Sequence, residues 1–275
     1  MFRARVKSLV SVALAVAAIA SLSVLGDRTA SASPIPAHWK LVFNSNFAKT
    51  AVKGTVNPKT WATCYPLASK AGCSNFSSAN AEQEWYLPSQ VSVVGGVLHL
   101  TARRAATKGT TATGKPKEYG CRSGIVTTFP GFKFEYGFVQ VTARLPYGTG
   151  LWPAFWLAAA NNKYPPEVDI LEHWGNQKVS KLYLHPVTGA RQSAQYNAPT
   201  ADTGWHTWSL YWTKTRLTWY YDGRQVYTTT KGVPRQAMYF IADLADTTNS
   251  AAVTGVKGAA CTGTLLVQSV KIWQP

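Results

Sequence analysis

Three of the chain's 12 acidic residues fall within six positions, in Glu167-Val168-Asp169-Ile170-Leu171-Glu172. Carboxyl groups this close can divide acid, base and nucleophile roles between them. A pair about 5 to 5.5 Å apart suits double displacement at a glycosidic bond: one carboxylate attacks the sugar while the other, protonated, gives its proton to the leaving oxygen. Glu167 is the expected nucleophile and Glu172 the expected acid and base. A like charge raises the pKa of a neighbouring acid, so Asp169, lying between them, is expected to keep Glu172 protonated and to orient Glu167. Three carboxylates can also hold a hard cation, but such sites draw on loops with Asp, Asn and Gly spacing.

The residues between the acids say how they are positioned. Val168, Ile170 and Leu171 are aliphatic, and Pro165-Pro166 and Gly175 bound the stretch, which reads as a half-buried strand. Alternation places Glu167 and Asp169 on one face but turns Glu172 toward the core, where an unpaired charge costs several kcal/mol. A β-bulge at Ile170-Leu171 adds one residue and returns Glu172 to the face of the other two. The two glutamates then stand roughly 13 Å apart at Cα, a gap that two leaning side chains largely close.

Glu-x-Asp-x-x-Glu followed by His173, Trp174 and Gly175 resembles the catalytic strand of glycoside hydrolase family 16, in the bulged form shared by its laminarinases. Further segments carry the same resemblance. Gly150-Leu151-Trp152-Pro153-Ala154-Phe155-Trp156-Leu157 matches the family segment whose two tryptophans, here Trp152 and Trp156, line the substrate cleft. Indole offers a large stiff face for the apolar C–H side of a pyranose. Asn80-Ala81-Glu82 is similar to an Asn-x-Glu segment, whose Asn, here Asn80, reaches a sugar hydroxyl. His185, in Leu182-Tyr183-Leu184-His185-Pro186, matches a histidine that faces the cleft, and Asp243 stands where members commonly have Asn. An added carboxylate there implies an altered sugar preference, toward a cationic or amino sugar.

The resemblance implies an all-β fold, a jelly-roll sandwich of two curved antiparallel sheets with a concave substrate cleft. Short strands, frequent turns and no internal repeat agree with a sandwich. It also implies a retaining endo-acting β-glycan hydrolase, with endo-1,3-β-glucanase the best reading and no cofactor required. A transglycosylase, a hydrolase of another β-glycan (β-1,3-1,4-glucan or galactan) and a non-catalytic carbohydrate-binding protein would use the same residues. Many members hold a structural calcium, but Asn44, Asn46 and Gln268 stand near or at the positions of its acidic ligands, which argues against it here. No other metal spacing is present.

Met1–Ala32 reads as a secretory signal peptide: Arg3, Arg5 and Lys7 precede an apolar run from Leu9 to Leu25, and Ala30-Ser31-Ala32 fits a cleavage site. Residues 33–275 then form one catalytic domain, expected to be secreted, monomeric and free of the membrane. The leader carries four basic residues and one acid, so its removal takes the net charge from +16 to +13. The basic residues are scattered and no nucleic-acid-binding motif is present, so the charge points to anionic wall material or solubility rather than to nucleic acid. Four cysteines in an exported chain imply two disulfides. Cys64–Cys73 closes the shorter loop, which leaves Cys121–Cys261. Gly95-Gly96 and Asp222-Gly223 signal hairpins. The 11 tryptophans exceed what a core needs, and an aromatic groove would take up the excess.

Overall fold

Two tight turns show how local chemistry cuts the chain into strands. Gly95 and Gly96 have φ of +57° and +80°, and Asp222 and Gly223 of +48° and +76°. Two successive left-handed residues make the type I′ turn whose twist matches a two-residue hairpin. Both hairpins form, with Val94 facing Val97 and Tyr221 facing Arg224.

The computed structural model describes residues 35–66, 82–111, 114–175, 178–247 and 261–275. The expected leader Met1–Ala32, Asn80, and Cys73 with its expected bond to Cys64 lie outside the described residues. In chain order the strands are β1 (Lys40–Asn46), β2 (Glu84–Tyr86), β3 (Val91–Val94), β4 (Val97–Thr110), β5 (Pro116–Ser123), β6 (Ile125–Thr127), β7 (Gly137–Arg144) and β8 (Leu151–Ala159). Then follow β9 (Glu167–Glu172), β10 (Val179–His185), β11 (Gln192–Asn197), β12 (His206–Trp212), β13 (Leu217–Tyr221), β14 (Arg224–Thr229), β15 (Met238–Asp246) and β16 (Thr262–Gln274). One sheet runs β14-β13-β12-β7-β16-β4-β5-β2, with β1 on β16 and β3 on β4; the other runs β11-β10-β9-β8-β15-β6. This is the expected all-β jelly-roll sandwich. Its pairs are antiparallel except for β2 against β5, a parallel contact of three residue pairs.

The main core draws Phe155, Leu157, Val168 and Phe240 from the six-stranded sheet and Val141, Leu210 and other residues from the ten-stranded one. Each such apolar side chain contributes about 1.5–3 kcal/mol when fully buried. A second, smaller apolar cluster gathers Tyr65, Tyr86, Ile125, Trp156, Tyr239 and Ile241. Much of the tryptophan is packed inside after all: Trp61, Trp85, Trp156, Trp208, Trp212 and Trp219 are buried. Sandwich interiors are filled by side chains from two sheets, and large rings fill that space economically.

β9 carries the bulge. On the β8 side Phe155 faces Leu171 while Trp156 faces Asp169, so Ile170 is passed over. On the β10 side Lys181 faces Glu172 and Tyr183 faces Asp169, leaving Leu182 against two residues. Val168, Ile170 and Leu171 all enter the core. Trp219, on β13 of the opposite sheet, donates its indole N–H to the Asp169 carbonyl at 2.9 Å, in a buried bond across the sandwich.

Cys121 of β5 and Cys261, just before β16, form a disulfide with Cα atoms 5.8 Å apart and a sequence separation of 140. In the chain-entropy account a loop of that size restricts the unfolded chain by about 5 kcal/mol. The residues at the β1–β16 pairing do not fit a calcium site. Neither strand contains Asp or Glu, Lys271 stands opposite Asn44, and the Asn46 side chain accepts from the Ala48 N–H at 3.1 Å. Hard cations need several oxygen ligands, usually carboxylates.

Trp219→Phe deletes the cross-sheet donor while keeping most of the ring volume. It is expected to destabilise the fold by about 1–3 kcal/mol, the cost of leaving a buried carbonyl unpaired. Urea denaturation measures this, and an unchanged midpoint would show that the bond is not needed to hold the bulge.

Candidate active site

Residues paired directly across neighbouring strands share a face, so the register of β9 determines what surrounds each acid. On β8, Ala158 lies opposite Glu167, Trp156 opposite Asp169 and Ala154 opposite Glu172. Alanine beside each glutamate leaves room over the carboxyls. On β10, His185 lies opposite Glu167, Tyr183 opposite Asp169 and Lys181 opposite Glu172. β15 adds Asp243, opposite Ala154. Glu167, Asp169 and Glu172 are thus brought together at a cleft of about 490 Å³, lined also by Glu82, Trp152 and Asp243. Five of the chain's 12 acidic residues therefore line one cleft.

Crowding acids away from water pushes their pKa values up, because burial penalises the charged form and each charge opposes the next. Glu167 is raised to about 8, first by burial and then by the charge of Asp243. Glu172 is raised well above the carboxylate range by burial, then by Glu167 and Asp243, with Lys181 and Arg191 pulling the other way. Asp169 is only 3% exposed and is itself raised well above its usual value by burial, then by Glu167, Glu172 and Asp243. Glu167 and Asp243 both favour the protonated form of Glu172, and Asp169 and Glu172 oppose each other's charge as the spacing suggested. Asp243 rises only to about 6: burial lifts it, and hydrogen bonds from Trp156 and Tyr86 hold it back. As pH rises, Asp243 ionises before Glu167, while burial and its negative neighbours also favour the protonated form of Glu172.

The expected substrate contacts divide. Trp152 and Trp156 both line the cleft. Trp156 stacks on Tyr65 with centroids 5.8 Å apart, and Trp152 meets Trp174 edge-on at 5.9 Å. Asp243 is not an open carboxylate: its two oxygens accept from the Trp156 indole at 2.7 Å and the Tyr86 hydroxyl at 3.0 Å. It braces Trp156 and acts by charge. His185 Nε2 lies 3.6 Å from both a Glu167 oxygen and an Asp169 oxygen, contacts too long to be hydrogen bonds. Its Nδ1 meets the Tyr164 hydroxyl at 2.9 Å, and burial, then Arg191, hold its pKa below the usual imidazole range. Sequence reasoning missed Tyr65, Tyr86, Tyr164, Lys181, Tyr183 and Arg191. For Lys181 and Tyr183 a signal existed, since they share parity with His185 along β10; for the others it did not.

The family model for Glycosyl hydrolases family 16 matches residues 79–259. The endo-1,3-1,4-beta-glycanase ExsH of Rhizobium meliloti (strain 1021) is 32% identical over 193 residues, 66% of this chain and 39% of that protein. This chain therefore spans about two fifths of that relative's length. The beta-glucanase of Rhodothermus marinus is 28% identical over 222 residues, 74% of this chain and 69% of that one. Among solved structures, the endo-beta-1,3-glucanase from Pyrococcus furiosus has the same fold, with a TM-score of 0.71 at 22% identity over 86% of this chain and 94% of that one.

Acids with raised pKa in the folded state bind more protons than in the unfolded chain, so stability must fall as pH rises between the two values. The melting temperature is expected to fall steadily from about pH 4.5, near the ordinary Glu value, through about pH 8, where Glu167 ionises. Asp243→Asn keeps an acceptor for the Trp156 indole but removes the charge. It should shift the Glu167 titration, read by infrared difference spectroscopy of the carboxyl band, to lower pH and flatten the melting profile. A titration unmoved by this substitution would refute the coupling.

Proposed function

Given that the chain belongs to the glycosyl hydrolases family 16, we propose that it is a retaining, endo-acting β-glucan hydrolase with β-1,3-glucan as its preferred backbone. The observation that carries this reading is the bulged β9 strand, which presents Glu167, Asp169 and Glu172 to one cleft where burial pushes the pKa values of both glutamates up. In the proposed first step the Glu167 carboxylate attacks the anomeric carbon and the glycosidic bond breaks. Glu172 donates its proton to the departing oxygen, leaving a glycosyl ester on Glu167. In the second step the Glu172 carboxylate takes a proton from water, which attacks the same carbon and frees Glu167 with net retention.

Asp169 sits between the two on the same face of β9 and is assigned the part of orienting Glu167. Trp152 and Trp156 stack on sugar rings, Asp243 fixes the angle of Trp156, and Asn80 is assigned a sugar hydroxyl. This chemistry calls for no cofactor. The β-glucan backbone is supported by the names of the relatives, the endo-1,3-1,4-beta-glycanase and the beta-glucanase. Secretion is the proposed location, which the Cys121–Cys261 disulfide supports, since such bonds persist in oxidising compartments.

The test is a reducing-sugar assay on laminarin, lichenan, agarose, galactan and chitosan, with the anomer of the first product followed by NMR. The wild type is expected to cut laminarin best and release the β-anomer. Glu167→Gln should lose about 10³-fold or more in kcat. Glu172→Gln should lose as much on laminarin but far less on aryl glycosides whose leaving group needs no proton. Binding without turnover by the wild type would replace the enzyme reading with a carbohydrate-binding one, and products longer than the substrate would replace hydrolysis with transfer.

A further inference from the structure

The cleft is lined by acids alone among charged residues, and two cations stand on its flank. On the β8–β15 side of the catalytic strand stand Glu82 and Asp243. On the β10–β11 side stand Lys181, which faces Glu172, and Arg191, which immediately precedes β11. Among the described residues the close ion pairs are those of His185 and His206, and neither Lys181 nor Arg191 has one. Each is laid instead on an aromatic ring beside the site. Lys181 Nζ lies 3.7 Å from the centre of the Trp174 ring, and the Arg191 guanidinium lies 5.2 Å from that of Tyr183.

A cation without a carboxylate partner keeps its charge available, and a stacked one has already given up much of its side-chain freedom. Arg191 is exposed at the rim, and its charge is felt by Asp169, Glu172 and His185. Planar guanidinium groups pair with oxyanions through two parallel hydrogen bonds. The chain as a whole carries a net charge of +16, which draws polyanions toward any such site.

Taking the β-glucan hydrolase reading as its basis, we propose that the Lys181–Arg191 flank of the cleft receives a sugar bearing an oxyanion substituent, a carboxylate or a sulfate ester. The preferred substrate is then an acid-substituted β-glucan rather than a neutral one. Glu82 and Asp243 repel the same substituent from the other side, so the charged sugar selects one direction of binding across the cleft.

The experiment compares kcat/KM on laminarin, carboxymethyl-laminarin and sulfated laminarin of matched chain length and substitution. At least one anionic derivative is expected to exceed neutral laminarin at low salt, with the ratio falling toward one at high salt. Whichever derivative leads identifies the substituent. Lys181→Gln and Arg191→Gln should each cut the anionic-to-neutral ratio by about two- to fivefold, the scale of a partly exposed charge pair. Arg224→Gln, an exposed charge on β14 of the other sheet, should leave that ratio unchanged. A ratio at or below one in the wild type overturns the inference, as does a ratio that responds equally to all three substitutions. If no laminarin is cut, the hydrolase reading has failed instead. Calorimetric binding of sulfated, carboxymethylated and neutral oligosaccharides to Glu167→Gln then decides the anion preference without turnover.

Discussion

One surplus residue in β9 decides which way a glutamate points. In regular alternation, with no residue passed over, Glu172 would face inward beside Val168 and Ile170, both buried. A lone carboxylate there would cost several kcal/mol or remain protonated and idle. With the surplus residue, the same stretch satisfies two demands: three aliphatic side chains enter the core and three carboxyls reach the cleft. Bulges bend a strand and interrupt its ladder, so something outside the sheet must hold the bent backbone. Trp219 does this from the opposite sheet by bonding the Asp169 carbonyl. The catalytic geometry therefore depends on the packing of the whole sandwich, not on β9 alone.

The electrostatics follow from that geometry. Carboxyls gathered in a half-dry cleft cannot all ionise together, so the site titrates as a group whose protons are distributed by small differences of environment. Asp243 receives hydrogen bonds from Trp156 and Tyr86, which favour its charged form, while Glu172 has only the distant help of Lys181 and Arg191 against burial and two negative neighbours. The difference separates a group able to carry charge at neutral pH from one that holds its proton. The asparagine-to-aspartate departure noted from the chain thus acts within the network, bracing a tryptophan and biasing two glutamates.

Much of this was legible in advance. Alternation of acids with aliphatics identified the catalytic strand, the cost of an inward Glu172 required a bulge, and the glycine-containing turns located two hairpins. Each of these rests on physics acting over a few neighbouring residues, so a short window of chain contains all the information needed. The tryptophans read less well. A Trp in a strand is equally at home stacking on a sugar or filling a sandwich, and the chain does not say which face it occupies.

What only the tertiary structure decided is everything set by register between strands far apart in the chain. Lys181, Tyr183 and His185 stand one for one beside Glu172, Asp169 and Glu167 because β10 pairs with β9 at one register. Asp243 meets Trp156 and Tyr86 across sequence separations of 87 and 157 residues. The amino-acid order by itself determined the strands, the trio and the sign of the chain's charge. The gathering of acids in one cleft with Lys181 and Arg191 on its flank, and the raised pKa values of its carboxyls, arose only on folding, because Coulomb interactions and burial depend on distance in space and not along the backbone.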